Sequence, residues 1–296
     1  MKSKKFVLVT GSSGFIASHI VDSLLEDNHN LILYDFVKSK YLKFNKKNKK
    51  YKLIEYTFGH KDFNNLEKVM KNCYCVFHFG AISDINYAQK NPIETIEKNI
   101  VFTYKLLESC KKNKISKLYF SSSIYVNTEY GGYYRISKEA CEKLINEFCE
   151  KNNILYTILR FGSIYGERAS LSNSITNMLY QAQNKKIYRE GTGNEIRNFI
   201  HIKDTVKLCM KLFNDYKNNK KYYMVIGKYP IKISNLLRKI KKLYNDKIEL
   251  HYSGKNTLHY SIYPKKINEP KISIITPSKP IDFWQSINNL KNKMKK

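Results

Sequence analysis

The chain has 296 residues, 42% of them hydrophobic, and its 53 Lys or Arg against 25 Asp or Glu give a formal net charge of +28 at pH 7. A chain of this length can bury a full core, and its longest apolar runs are strand-sized, well short of the roughly 20 residues that cross a bilayer. No membrane contact is therefore predicted. The basic residues are spread along the whole chain without a helix-turn-helix, zinc-finger or RNA-binding signature, so nucleic acid is not predicted as a partner.

The six cysteines are expected to be reduced. They stand at 73, 75, 110, 141, 149 and 209, without the paired CxxC spacing of a zinc site. The basic start of the chain is followed by too short an apolar segment for a signal peptide. The sequence therefore predicts no metal site and a cytoplasmic location.

The first predicted elements are a strand, a glycine-rich turn and a helix. Residues 5–10 (KFVLVT) form a short apolar run with β-branched side chains, and a helical pattern covers residues 16–25. Further strands are predicted at 31–34, 52–56, 75–79, 117–121 and 156–161, separated by helices near 62–71, 92–112 and 134–152. This alternation predicts an α/β fold, a Rossmann-type doubly wound parallel sheet with helices on both faces.

Beyond about Gly166 the order of elements changes. A helix is predicted at 173–184, followed by a glycine-containing loop at 191–194 and by shorter elements. We therefore predict a Rossmann domain over residues 1–166 and a smaller C-terminal α/β lobe over residues 167–296. The Lys/Asn run at 43–52 is predicted to be a solvated loop.

The turn Gly11-Ser-Ser-Gly14-Phe-Ile-Ala17 lies between the first strand and the first helix. Its glycines let the backbone approach a pyrophosphate, and the helix amino terminus supplies N–H groups and partial positive charge. Asp35 ends the second predicted strand, where a carboxylate accepts hydrogen bonds from ribose hydroxyls and repels a 2′-phosphate. NAD is therefore favoured over NADP, although Lys38 nearby opposes this preference in part. A turn that merely joins strand to helix is the alternative.

Tyr134 and Lys138 stand four residues apart on a predicted helix, so both side chains project from one face. The Lys138 ammonium is expected to lower the pKa of the phenol, so that Tyr134 can remove a hydroxyl proton while hydride leaves for NAD. The spacing alone is a weak signal in a chain with 24 tyrosines. Its support is the strand just upstream, which ends in three serines at 121–123.

Several segments of the chain resemble one known family. The run from Val7 to Ile20 resembles the amino terminus of the extended short-chain dehydrogenase/reductase family, the NAD-dependent nucleotide-sugar epimerases and dehydratases. The segments 78–83 (HFGAIS), 159–168 (LRFGSIYGER) and 191–204 (GTGNEIRNFIHIKD) extend the resemblance over nearly the full chain. The last segment resembles the substrate-lobe signature of the nucleotide-sugar members.

The resemblance implies site residues of three kinds. The catalytic residues are Ser123, which hydrogen-bonds the reacting oxygen, Tyr134 and Lys138. Together with the glycine turn, it indicates these cofactor-binding residues: Gly11, Gly14, Phe15, Ile16, Asp35, Phe79, Gly80, Ala81, Asn99, Tyr134 and Lys138. The substrate-binding residues are Ser123, Ser163, Arg168 and Arg197, of which Arg197 pairs with the substrate diphosphate. A surface arginine held only by solvation is the alternative for Arg197.

Departures from the family bear on the substrate. Ser163 replaces an Asn that contacts the nucleotide sugar, and His60 stands where an adenine-binding Asp is common, with Asp62 as a substitute. The segment between Ser123 and Tyr134 is shorter than in most epimerases, so the pocket is expected to be open there or covered by another loop. Ile124 and Tyr125 replace the Asp-Glu pair of the 4,6-dehydratases, so elimination lacks its acid and base.

These features predict an NAD-dependent nucleotide-sugar epimerase that oxidises a sugar hydroxyl, at C4 by expectation, to a transient ketone. A net nucleotide-sugar 4-dehydrogenase or a ketosugar reductase would use the same residues, and a non-catalytic NAD-binding sensor also stays open. The helices at 92–112 and 134–152 resemble those of the family's four-helix dimer interface. The expected partners are therefore a nucleotide-diphosphate sugar and a second copy of the chain.

Overall fold

The computed structural model describes residues 6–35, 41, 51–55, 63–215, 221–255, 259 and 272–294. In these ranges the strands are β1 Phe6–Thr10, β2 Asn30–Asp35, β3 Tyr51–Glu55, β4 Cys73–His78, β5 Lys117–Ser123, β6 Leu155–Phe161, β7 Ser163–Tyr165, β8 Lys186–Arg189, β9 Ile196–Arg197, β10 Phe199–His201, β11 Lys221–Val225, β12 Ile231–Lys232, β13 Glu249–Tyr252 and β14 Ile272–Ile275. The α-helices are α1 Phe15–Glu26, α2 Phe63–Val69, α3 Ile85–Lys90, α4 Pro92–Thr95, α5 Phe102–Lys112, α6 Gly132–Lys151, α7 Ser174–Gln183, α8 Ile202–Asn214, α9 Ile233–Leu243 and α10 Phe283–Met294.

Eight strands form one sheet in the order β14-β11-β6-β5-β4-β1-β2-β3. Every neighbouring pair in it is parallel. The predicted doubly wound parallel sheet is therefore confirmed. Because the strand order reverses at β1, between β2 and β4, a crevice opens outside the carboxyl ends of β1 and β4, which is where such sheets bind ligands.

The core lies on both faces of this sheet. Val7 and Val9 of β1 belong to a cluster with α1 and α8, whereas Leu8 between them belongs to a cluster with α5 and α6. Successive side chains of a strand point to opposite faces, so a strand buried on both faces reads as a continuous apolar run. A third cluster joins α7, α9 and α10 in the C-terminal part.

The predicted helices and strands occur within one or two residues of their expected bounds, with one exception. In the predicted helix at 92–112, residues Ile96–Val101 are wound as a π-helix between α4 and α5. Such wider turns are frequent at functional sites. The division of the chain at residue 166 stays a prediction, and two strands from beyond it, β11 and β14, complete the main sheet.

Some sequence expectations fall outside the described residues. Lys38, most of the predicted loop at 43–52, and the adenine-contact candidates His60 and Asp62 belong to this group. In the described part of the chain, none of the helices is both long and apolar enough to span a membrane. The six cysteines are described, and each is buried and not part of a disulfide.

Candidate functional site

The glycine turn brings the backbone of β1 against the segment that follows β4. Gly11 has a φ of +63°, and a Cβ on it would lie 2.6 Å from the Gly80 Cα. The Gly80 N–H in turn donates to the Thr10 hydroxyl at 3.1 Å. Gly14 is the N-cap of α1, and its own N–H donates to the Gly11 carbonyl at 2.9 Å. The first turn of α1 therefore presents its N–H groups to the crevice, as a pyrophosphate site requires.

Asp35 lies at the end of β2, beside this turn. Its Oδ2 accepts a hydrogen bond from the Ser13 backbone N–H at 2.7 Å. The carboxylate lines the same cleft as the turn, and this cleft has a volume of about 480 Å³. Asp35 thus hydrogen-bonds the turn, and its contact with the cofactor ribose stays a prediction. Further predicted cofactor residues that line the cleft include Phe15, Ile16, Phe79, Gly80 and Ala81.

Ser123, Tyr134 and Lys138 also line this cleft. Ser123 ends β5, while Tyr134 and Lys138 are one turn apart near the start of α6. The Lys138 Nζ donates to the Ser121 carbonyl at 2.7 Å and lies 6.0 Å from the centre of the Tyr134 ring. The structure therefore brings the three predicted catalytic side chains together beside the cofactor turn.

Burial controls the protonation of Tyr134 and Lys138. It raises the pKa of Tyr134, and a hydrogen bond with Ser123 opposes this effect. The expected lowering of the Tyr134 pKa by Lys138 is not found, because burial outweighs the other influences on the phenol. Burial also lowers the pKa of Lys138 to about 8, against the opposing effects of Cys141 and Glu142.

A buried ion pair between Arg160 and Glu142 lies next to β5, the strand that ends at Ser123. Arg160 of β6 donates from Nε and Nη2 to the two carboxylate oxygens of Glu142, at 2.9 and 2.6 Å. The Ser122 hydroxyl also donates to this carboxylate. The Arg160 Nη1 donates to the Asn127 side chain at 3.1 Å. One network therefore joins β5, β6, α6 and the short segment after Ser123.

Asn99 does not line the cleft, in contrast to its predicted cofactor contact. It is buried in the π-helical segment, where its Oδ1 accepts from the Ile82 N–H at 2.8 Å. Its Nδ2 donates to the Ile82 carbonyl at 3.0 Å and to the Ser137 hydroxyl at 2.9 Å. Asn99 thus connects the loop after β4 to α6, next to Lys138.

Arg168 likewise lies away from the cleft. Its Nη1 donates to the Ser18 carbonyl at 3.1 Å, and its Nη2 pairs with Asp22 at 2.7 Å, both on α1. Its guanidinium is therefore committed to α1, and the geometry does not support its predicted substrate contact. Ser163, by contrast, lines the cleft, and its contact with substrate stays a prediction.

Arg197 lines a second cleft of about 410 Å³, which shares Ser83, Tyr125, Ser163 and other lining residues with the first. Arg197 is itself 5% exposed. Tyr125, Arg189 and His259 also line this cleft and were not predicted as site residues. The only sequence signal among them was Tyr125 at the place of a dehydratase acid/base residue, and no motif marks Arg189 or His259.

A larger cavity of about 760 Å³ lies beside α9 and the start of α10. It contains none of the predicted site residues. We place the chemistry in the smaller cleft, because the phenol, the ammonium and the glycine turn meet there. Within the described ranges, no group of three or more His, Cys, Asp or Glu side chains could hold a metal ion.

Comparison with known proteins assigns the chain to a family. Residues 7–227 match the model described as the NAD dependent epimerase/dehydratase family. The chain belongs to this family. The predictions of the family, of an enzyme and of NAD as its cofactor are thereby confirmed.

Relatives within the family differ in reaction. A Methanocaldococcus jannaschii protein provisionally named UDP-glucose 4-epimerase is 30% identical over 72% of this chain and 74% of its own length. The dTDP-D-glucose 4,6-dehydratase of Bos taurus is 27% identical over 74% of this chain and 67% of its own length. Among solved structures, the UDP-N-acetylglucosamine 4-epimerase of Methanobrevibacter ruminantium M1, in complex with UDP-N-acetylmuramic acid, superposes with a TM-score of 0.81. The two sequences are 24% identical, and the superposition covers 99% of this chain and 98% of the epimerase chain.

Proposed function

We propose that this family member is an NAD-dependent nucleotide-sugar epimerase, which oxidises a sugar hydroxyl to a transient ketone and then returns the hydride to the opposite face. The observation that carries the proposal is the meeting of Ser123, Tyr134 and Lys138 in the cleft of the glycine turn. The names of its relatives support nucleotide sugars as the substrate class.

NAD fits the residues present. Gly11 approaches the Gly80 backbone so closely that a side chain at position 11 would clash with it, which leaves the backbone open to a pyrophosphate. Asp35 would accept the hydroxyls of the adenine ribose. Bound NAD would supply the hydride acceptor and, in its oxidised form, a positive charge near the phenol. That charge would oppose the effect of burial on the pKa of Tyr134.

The chain's own residues would handle the proton and the oxygen. Tyr134 would accept the proton of the sugar hydroxyl as the ketone forms and would return it after the hydride comes back. Ser123, which hydrogen-bonds Tyr134, would hold the reacting oxygen. Lys138 would hold the nicotinamide ribose and keep the charge of the phenolate balanced. Arg197 in the adjoining cleft would pair with the substrate diphosphate.

Epimerisation is favoured over dehydration by the residues after Ser123. Dehydration needs an acid and a base near the carbons that lose water, whereas β5 is followed here by Ile124 and Tyr125. Neither side chain is a carboxylate. Reaction at C4 is the expectation that the named 4-epimerases support.

A homodimer belongs to the same proposal. Large apolar side chains are exposed on the adjacent helical segments 92–112 and 132–151: Ile93 at 73%, Ile96 at 45%, Tyr104 at 43% and Ile136 at 47%. A four-helix interface would cover them, because contiguous exposed apolar surface marks contact sites. We also propose a cytoplasmic location, because the six buried cysteines are not joined in disulfides. Light scattering of the purified protein measures the oligomeric state.

The reaction is tested with a panel of UDP-, dTDP-, GDP- and ADP-sugars. The proposal predicts conversion of one of them to its epimer without net NADH formation. Tyr134→Phe should abolish turnover while NAD binding is retained. Lasting NADH accumulation would show a net dehydrogenase instead, and NAD binding without turnover of any sugar would favour a sensor.

A further inference from the structure

The short segment between β5 and α6 sets Tyr125 next to Tyr134. The backbone N–H of Tyr125 donates to the Ser123 hydroxyl at 3.3 Å. The Tyr125 ring meets the Tyr134 ring edge-on, with centres 6.4 Å apart and an interplanar angle of 74°. The Thr128 hydroxyl donates to the Tyr125 carbonyl at 2.9 Å. Tyr125 is therefore held by the same strand end that carries Ser123.

Gly131 fixes the orientation of the Tyr125 ring. This glycine has a φ of +95°, and a Cβ on it would lie 2.8 Å from the Tyr125 Cδ1. The loop backbone thus packs directly against the ring, so a side chain at position 131 would force the ring or the loop to shift. Tyr125, packed in this way against Gly131, lines the cleft.

His259 approaches Tyr125 from the C-terminal part of the chain. The Tyr125 hydroxyl lies 2.6 Å from the His259 Nδ1, and the two rings meet at an angle of 62°. Burial, with the nearby cations Arg189 and Arg197, lowers the pKa of His259 to about 4. The imidazole is therefore neutral near pH 7 and acts as an uncharged hydrogen-bonding group.

The two clefts meet at Tyr125. It lines the first cleft together with Tyr134 and the second together with Arg197 and His259. In a nucleotide sugar, the sugar connects the reacting hydroxyl to the diphosphate. A substrate with its hydroxyl at Tyr134 and its diphosphate at Arg197 must therefore carry its sugar past Tyr125.

We propose that Tyr125 and His259 form a sugar-recognition pair, which hydrogen-bonds uncharged hydroxyl or amide groups of the substrate's sugar. The inference rests on the proposed function and adds two residues to it. A neutral phenol and imidazole suit such groups, whereas phosphates are bound better by the guanidinium of Arg197. The pair replaces contacts that a longer segment after Ser123 would otherwise provide.

The test separates the sugar from the nucleotide. UDP-glucose, dTDP-glucose, GDP-mannose and ADP-glucose are titrated calorimetrically into the NAD-loaded protein, each beside its free nucleoside diphosphate. For the pair that binds best, Tyr125→Phe and His259→Leu should weaken the sugar conjugate by roughly three- to tenfold, as expected for one lost hydrogen bond. Both variants should leave the affinity for the free diphosphate unchanged. His259→Asn, which keeps a hydrogen-bonding side chain, should recover part of the loss.

Controls identify the source of a failure. Tyr229→Phe, an exposed tyrosine of the larger cavity, should bind both ligands like the parent protein. An equal loss for the sugar conjugate and the free diphosphate would overturn the inference, because it would show a general distortion of the cleft. Unchanged binding of the conjugate in both variants would also overturn it. If the parent protein binds none of the four conjugates, the proposed function fails, and the inference fails with it.

Discussion

The buried pair between Glu142 and Arg160 makes a quantitative prediction about how the catalytic strand is supported. The side chains of Glu142 and Arg160 are 5% and 4% exposed, respectively, and the Glu142 carboxylate also accepts a hydrogen bond from the Ser122 hydroxyl. Glu142→Gln preserves the size and one acceptor oxygen but removes the negative charge. The Arg160 guanidinium then stays in the interior without its counter-charge.

Breaking a buried ion pair by removing one partner costs about 3 to 5 kcal/mol. For a protein of this size such a loss lowers Tm by roughly 6 to 20 °C. Glu139→Gln is a matched control on the same helix, because Glu139 is 38% exposed and pairs with Arg135 and Lys143 at 3.4 and 3.2 Å. Surface pairs of this kind contribute about 1 kcal/mol or less.

Urea unfolding of the two variants, followed by circular dichroism, measures the difference directly. Glu142→Gln should lose at least three times as much unfolding free energy as Glu139→Gln. In a double-mutant cycle, Glu142→Leu combined with Arg160→Met should cost less than the sum of the two single changes. Equal losses for Glu142→Gln and Glu139→Gln would refute the structural role of the buried pair.

Three further predictions concern single residues. Asp35→Ser removes a charged hydrogen-bond acceptor, so it should weaken NAD binding by roughly tenfold or more and reduce the preference for NAD over NADP. Cofactor titration measures both effects, and an unchanged preference would contradict the role assigned to Asp35. Burial lowers the pKa of His78 to about 3. Between that pH and about 6.5 the imidazole is protonated in the unfolded chain but neutral in the folded protein. The free energy of unfolding should therefore fall as the pH decreases through this window. His78→Gln should flatten that slope in pH-dependent thermal unfolding, and an unaltered slope would exclude His78 as a source. Gly131→Ala should lower the free energy of unfolding by about 1 to 3 kcal/mol, and by more than Gly254→Ala. Gly254 also has a positive φ, +72°, but a Cβ there would meet open space. Equal losses in urea unfolding would argue against the contact between Gly131 and Tyr125.

Features encoded by adjacent residues were predictable from the sequence. The glycine turn needs a strand before it and a helix after it, and both are visible in the apolar pattern around Gly11. Tyr134 and Lys138 share a helix face because of their spacing. Asp35 follows from its place at a strand end, although its hydrogen bond to the Ser13 N–H has no sequence signature.

Features that depend on tertiary packing were not predictable. His259 reaches Tyr125 across a sequence separation of 134 residues, and no local pattern marks such a contact. The resemblance suggested Asn99 and Arg168 as ligand contacts. Their side chains instead bond the Ile82 backbone and α1, respectively. The pKa of Tyr134 depends on burial in the folded protein, which the spacing to Lys138 does not reveal.

The fate of the hydrogen at the reacting carbon tests the central claim most directly. A nucleotide sugar that the protein accepts is prepared with deuterium at C4 and incubated with the NAD-loaded enzyme, and the product is analysed by nuclear magnetic resonance and mass spectrometry. The account predicts a C4 epimer that retains the deuterium, with no lasting NADH absorbance and no turnover by Tyr134→Phe. A product that stays oxidised at C4 while NADH accumulates would contradict transient oxidation and return of the hydride.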